Sequence, residues 1–247
     1  MIKNWKKNTF YISIMQLTLL IVNFFLITII SREYGAEIYG EYASSKSLSV
    51  LIGTAIVMSL ALVVTKALAK NSEDSKLLFV NSYYIIIRNF FITLLILFPV
   101  TLFFQRDFSM TALFLMGFVF NELIHVALAF FQSRGDFVTS SKQIFVRTVL
   151  YGIGAWIIVL QGFSIIFLIV FQVFMLVLFF IIAHISIPKN EKIFKTTSTP
   201  NVKTNLQKSG KKMVLTTFSS ALISELDIVL LGLFYSGSVL GVLAWSR

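Results

Sequence analysis

Ser31–Lys46 reads SREYGAEIYGEYASSK and lies between the first two long apolar runs of the chain. Its acids Glu33, Glu37 and Glu41, its tyrosines, and Gly35 and Gly40 interrupt a sequence otherwise poor in polar residues. The stretch returns in weaker form 201 positions later. Laying Leu231–Ser246, LGLFYSGSVLGVLAWS, on Ile30–Ser45 pairs Tyr34 with Tyr235, Gly40 with Gly241, Ala43 with Ala244 and Ser45 with Ser246. Both copies follow a lysine cluster and then an apolar run. The match predicts a structural repeat whose second copy begins near the end of the sequence.

Working outward, composition sets the class. With 57% hydrophobic residues, 26 Phe and only 13% charged residues, the chain cannot be an ordinary soluble domain. Apolar runs of 18 or more residues recur, each long enough to cross the ~30 Å hydrocarbon core as a helix. Lipid offers the backbone no hydrogen bonds, so a spanning chain is helical or forms a closed barrel. Barrel strands alternate apolar and polar positions over ~10 residues; Ile165–Ile182 shows no alternation. The fold class is therefore all-α, a polytopic helical membrane protein with one six-helix lobe and the start of a second, parallel repeat.

The expected spans are about Thr9–Ile30, Tyr42–Ala67, Leu77–Phe104, Met110–Phe131, Gln143–Leu160 and, after a tight turn at Gln161–Ser164, a sixth to about Ile187. The basic start and first run differ from a signal peptide, whose apolar core is shorter and ends at a small-residue cleavage site. Residues 1–187 thus form the first lobe and 188–212 a polar, flexible linker, with 213–247 opening a second lobe. A seventh run covers about Met213–Tyr235. The run after Ser238 is too short to cross, so the chain reads as incomplete in its second lobe. No cysteine is present, which excludes disulfides and thiolate chemistry.

The net charge of +10 is a matter of topology. Fifteen Lys and Arg fall in the N-terminus, the 66–76 turn, the 133–142 link and the 188–212 linker, against three (Arg32, Lys46, Arg106) in the alternate links. By the positive-inside rule the N-terminus is cytoplasmic and the 31–42 link is external. Basic loops also suit anionic membrane lipids; nucleic acid is not an expected partner.

Polar groups within spans face a bundle interior or a watery cavity. Asn23 on the first span is one such group, and Lys46 stands at the outer end of the second. Arg88 in the third span and Glu122 in the fourth lie at similar depth on helices joined by a short link, which predicts that they face one another. His125 follows Glu122 by three positions on the same helix. Arg147, Tyr151 and Gly154 align on the fifth span. On the seventh, Ser220, Ser224 and Asp227 share a face and Glu225 points elsewhere, since residues two apart do not face each other. These residues give substrate-cavity candidates Arg88, Glu122, Asn23, His125, Arg147, Lys46 and Asp227. The two histidines and their neighbours form no metal site, no cofactor is implied, and no phosphate-cradling, zinc-protease or nucleophile-elbow motif marks an enzyme.

Three segments carry a family resemblance: ISREYGAEIYGEYASSKSLSVLIGTAIVMSLALVVTKALAK, FQSRGDFVTSSKQIFVRTVL and SELDIVLLGLFYSGSVLGVLAWSR. They resemble the opening link and second helix, the fourth-to-fifth helix segment, and the seventh-helix Asp with the repeated Gly link of the polysaccharide and O-antigen flippases. These belong to the multidrug/oligosaccharidyl-lipid/polysaccharide exporter superfamily. Asp227 stands at that Asp and Gly241 at the repeated Gly, while Leu243 replaces a common Tyr. The resemblance implies two lobes around a central cavity, a bacterial cytoplasmic membrane location, and transfer of lipid-linked oligosaccharide between leaflets. Polysaccharide polymerase or other assembly proteins would be partners. A cation-coupled multidrug exporter of the same superfamily and a membrane scaffold of a glycan assembly complex are the alternative readings.

Overall fold

In the computed structural model, residues 5–70, 75–103, 108–188, 200–234 and 237–245 are described, and among them there is no strand. Eight helices follow in order: α1 (Trp5–Val57), α2 (Leu60–Lys70), α3 (Ser75–Phe103), α4 (Phe108–Ser133), α5 (Phe137–Leu160), α6 (Ile165–Ser186), α7 (Pro200–Phe234) and α8 (Gly237–Trp245). Among the described residues six stretches are long and apolar enough to cross a membrane, the first of them 66 residues long. At ~1.5 Å per residue that stretch is about three times the hydrocarbon thickness, enough for two crossings. The protein is a multi-pass helical membrane protein. Its outer surface agrees: Leu95 is 77% and Phe24 67% exposed, placements that water would penalise and lipid does not.

The Ser31–Lys46 stretch is mostly helical, contrary to its reading as a link. Helical φ/ψ fails only at Gly35 (φ 81°, ψ 168°), a conformation essentially restricted to glycine. The chain folds back there. Leu26 and Ile30 before the kink share one buried cluster with Tyr39, Tyr42 and Ala43 after it. The Tyr34 hydroxyl donates to Phe163 O at 2.6 Å, tying the kink to the α5–α6 turn. At the opposite end, Asn8 Nδ2 donates to Gly135 O at 3.1 Å and Lys142 Nζ lies 5.4 Å from the Tyr11 ring centroid. The start of α1 and the 133–142 link thus lie together, apart from the Gly35 kink and the α5–α6 turn, as the lysine count divides these four.

Helix starts follow local chemistry. Asp136 caps α5, its Oδ1 accepting from Thr139 N at 3.1 Å, and Ser164 caps α6 through Phe167 N at 3.4 Å. α4 is the core helix, packed against α1, α2, α3 and α6, with Leu115, Val126, Ala127, Leu128 and Ala129 wholly buried. Small residues set the close approaches that the composition of the second span predicts. Gly53 lies against Phe118, and Gly232 against Ser44. Most intimate is the crossing of α1 and α8, where Gly40 meets the backbone of Gly237 and Gly241, and Gly241 meets the backbone of Ala36. Under the 201-residue offset, the pair 40–237 maps onto 241–36. Each copy thus touches the other through the same two positions, the reciprocity of a two-fold contact.

Two expected elements differ. α7 begins at Pro200, so residues 200–212 of the anticipated linker are helical, and residues 189–199 lie outside the described residues. The second span is not continuous: α1 stops at Val57 and α2 starts at Leu60. Met58 (φ 54°) and Ser59 (φ 51°) are both left-handed without being glycine, at a cost of about 1–2 kcal/mol each. Partners from other helices hold this break. Asn89 Nδ2 on α3 donates to Ile56 O at 3.0 Å, and Ser59 Oγ lies 2.9 Å from Thr217 Oγ1 on α7. Because the two side chains meet in this contact, S59C/T217C in this cysteine-free chain is expected to form a disulfide on mild oxidation. Mass spectrometry under non-reducing conditions checks it; absence of the bond would mean that α7 does not seat on the break.

Candidate functional site

The hairpin about Gly35 sets Asn23 and Lys46 at about equal distances from the turn, on facing arms. Both line two adjoining chambers, one of about 220 Å³ between α1, α4, α5 and α6 and one of about 340 Å³ between α1, α5, α6, α7 and α8. Lys46, Asn23, Tyr151 and Gln172 line both chambers; Arg147 and Asn121 line the first, Glu225 and Ser47 the second. Such volumes suit a small polar head group.

Each polar group has a structural reason for its position. Glycines bring α5 close: Gly152 packs on Val22 of α1 and Gly154 on Phe171 of α6, and the Arg147 side chain then reaches the cavity. Arg147 Nη1 donates to Asn121 Oδ1 of α4 at 2.9 Å, which fixes the guanidinium and leaves further N–H groups to face the cavity. Tyr151 Oη donates to Gln172 Oε1 of α6 at 3.4 Å. On the other wall Ser47 Oγ donates to Glu225 Oε2 of α7 at 2.6 Å. Lys46 is exposed to the cavity and within electrostatic reach of that carboxylate. The cavity thus has a cationic and amide-rich end at Arg147, Asn121 and Gln172, and a Lys46–Glu225 end.

Of the candidates from sequence, Asn23, Lys46 and Arg147 come together here. His125 is half-buried on α4 within electrostatic reach of Arg147, but it lines neither chamber. Arg88 and Glu122 do not pair. Arg88 Nη2 donates to its neighbour Asn89 Oδ1 at 2.9 Å, and Nε is buried without a partner. Glu122 opens instead into a separate cavity beside the break in the second span. Agreement in depth had not fixed the direction of either side chain around its helix. Asp227 is exposed, and its Oδ1 accepts from Ile228 N at 2.8 Å. The acid that enters the cavity from α7 is Glu225, the one that sequence reading had turned away. Gln172 was missed too, although its signal was plain: it is the one amide in the run IIFLIVFQVFMLVLFF.

No protein-family model, curated protein or solved structure matches the chain. The chemistry of the cavity must therefore carry the functional reading by itself.

Proposed function

We propose that the protein serves in transport of lipid-linked oligosaccharide, whose pyrophosphate is received between Lys46 and Arg147. The observation that supports this reading most is the placement of Arg147. A guanidinium set within a membrane span, held by Asn121 and lining a largely apolar cavity shared with Lys46, offers a forked, permanently charged donor set matched to phosphate oxygens. Lys46, Asn23 and Gln172 add a second cation and neutral donors around the same space. The exposed apolar flanks of α1 and α5 beside it (Phe25, Ile153, Trp156) would accompany a polyprenyl chain that stays in lipid. A glycan would occupy space beyond the two chambers.

Farnesyl pyrophosphate is the probe that tests this. The chain in nanodiscs is expected to bind it saturably, to lose it to competing inorganic pyrophosphate, and to ignore farnesol. K46A/R147A should remove the saturable component. Equal binding of farnesol would reduce the cavity to an apolar groove and sink the proposal. Glu225 gives the multidrug-exporter reading its own observation, an acid in the cavity wall. Saturable binding of tetraphenylphosphonium, lost in E225Q and unaffected by pyrophosphate, would favour that reading instead.

A further inference from the structure

Arg88 lines neither chamber of the cavity above, nor the cavity beside the break in the second span. It stands at the midpoint of the 23-residue span Leu77–Pro99. At ~1.5 Å per residue, about 16 Å of helix separates it from either end. An extended arginine covers less than half of that distance. The bond from Nη2 to Oδ1 of the adjacent Asn89, at 2.9 Å, also holds the guanidinium near its own level on the helix. Snorkelling to the head groups therefore does not explain this side chain.

The residue belongs to the outward face of α3. Tyr84, Phe91 and Leu95 share its stripe at i−4, i+3 and i+7, and Phe91 and Leu95 are 61% and 77% exposed. Within the chain its charge is unmatched. Among the described residues no carboxylate lies within ion-pair distance, Asn89 supplies one neutral oxygen, and Nε is buried without an acceptor. Ionised groups inside a bilayer pair with an opposite charge or face water. An apolar stripe with a cation at its midpoint suits another helix, since helices in lipid associate through packing and through polar bonds across the contact.

Charge selects the occupant, which must bring a carboxylate to the bilayer centre. A second copy of this chain offers none at that depth. Among the described residues, Glu122 and Glu225 line cavities, and Glu33, Glu37 and Glu41 flank the Gly35 kink at one end. Asp227 is exposed but stands five residues from Gly232, where its span ends. It is thus about 8 Å deep, against about 16 Å for Arg88. We propose that the Tyr84–Leu95 face of α3 docks a span of a different membrane protein, one that carries Asp or Glu near its midpoint and pairs it with Arg88. Arg88 lies outside the Lys46–Arg147 cavity, so this inference stands or falls independently of the substrate proposed there.

A designed peptide serves as the probe: a dansyl-labelled Leu/Ala helix as long as the Leu77–Pro99 span, with one Glu at its midpoint. Energy transfer from the tryptophans of the full chain, in phosphatidylcholine vesicles, reports binding. The wild-type protein is expected to bind this peptide about 10-fold tighter than versions with Gln or Leu in place of Glu, the effect of one charge-assisted bond. R88L should erase the preference, and R88K should retain part of it. Should R88L fold poorly, the wild-type protein gives a second readout. A Glu moved two turns toward either end of the peptide misses Arg88 by about 11 Å and should lose the preference. Equal binding of the Glu and Leu peptides would overturn the proposal, as would a preference that survives R88L or the moved Glu. Self-association of the wild-type chain that R88L abolishes would overturn it in favour of a second copy. Loss of the Glu preference in phosphatidylglycerol vesicles would overturn it in favour of lipid phosphate.

Discussion

Gly241→Leu is expected to lower the stability of the protein by about 3 kcal/mol or more, at or above the upper end of ordinary overpacking. Overpacked cores usually recover part of the cost by moving side chains. Here a Cβ on Gly241 runs into the backbone of Ala36, and one on Gly40 into the backbone of Gly237, so relief requires separating α1 and α8. Gly40→Leu should match it, because the two positions exchange roles across the contact. Gly117→Ala provides the opposite sign. A Cβ there lands in ordinary contact, 3.5 Å from Leu176 Cδ1 and 3.7 Å from Val173 Cγ2, while the helix interior gains about 0.8–1 kcal/mol of propensity. Denaturation in mixed detergent micelles, with size-exclusion profiles, measures all three variants. Gly241→Leu as stable as the parent would remove the α1–α8 crossing from the fold.

How much of this was legible in the sequence depends on whether the information is local. Hydropathy is local, and each long apolar helix among the described residues coincides with a run that it marked; the capping residues Asp136 and Ser164 stand at links that composition had marked. Gly35 and Gly40 were conspicuous for the right reason, although only Gly35 breaks the helix and Gly40 serves a contact. The gap at Met58–Ser59 carried no signal, because neither residue is glycine or proline. Asn89 from α3 bonds the Ile56 carbonyl beside it, and Thr217 from α7 meets the Ser59 hydroxyl within it. That is tertiary information. The same holds for the rotation of α7. A helical wheel says that Glu225 and Asp227 face different ways, but only the neighbours decide which one meets Ser47. Depth along a helix can be counted from sequence, whereas direction around it requires the packing partner. The error over Arg88 and Glu122 has this origin.

Those considerations separate two arginines that composition alone treats alike. Arg147→Ala is expected to weaken farnesyl pyrophosphate binding by about 10- to 100-fold, since a hydrogen bond to a charged group contributes roughly 1.5–3 kcal/mol and 1.4 kcal/mol is tenfold. Arg147→Lys should fall between, keeping the charge but losing the fork that bonds Asn121 and the ligand together. Arg88→Leu should leave binding unchanged, because the side chain lines neither chamber and reaches only Asn89. Its effect belongs to the fold instead. Arg88 donates to Asn89 Oδ1, which orients that amide so that its Nδ2 meets Ile56 O at the end of α1. Removing a charge from mid-span saves insertion energy, and freeing the Asn89 amide loosens the break, so the two changes in stability oppose each other. Isothermal titration with farnesyl pyrophosphate, run beside thermal unfolding for each variant, resolves the two roles. If Arg88→Leu lost binding while Arg147→Ala kept it, the assignment of the cavity would be wrong and the third span would carry the substrate path.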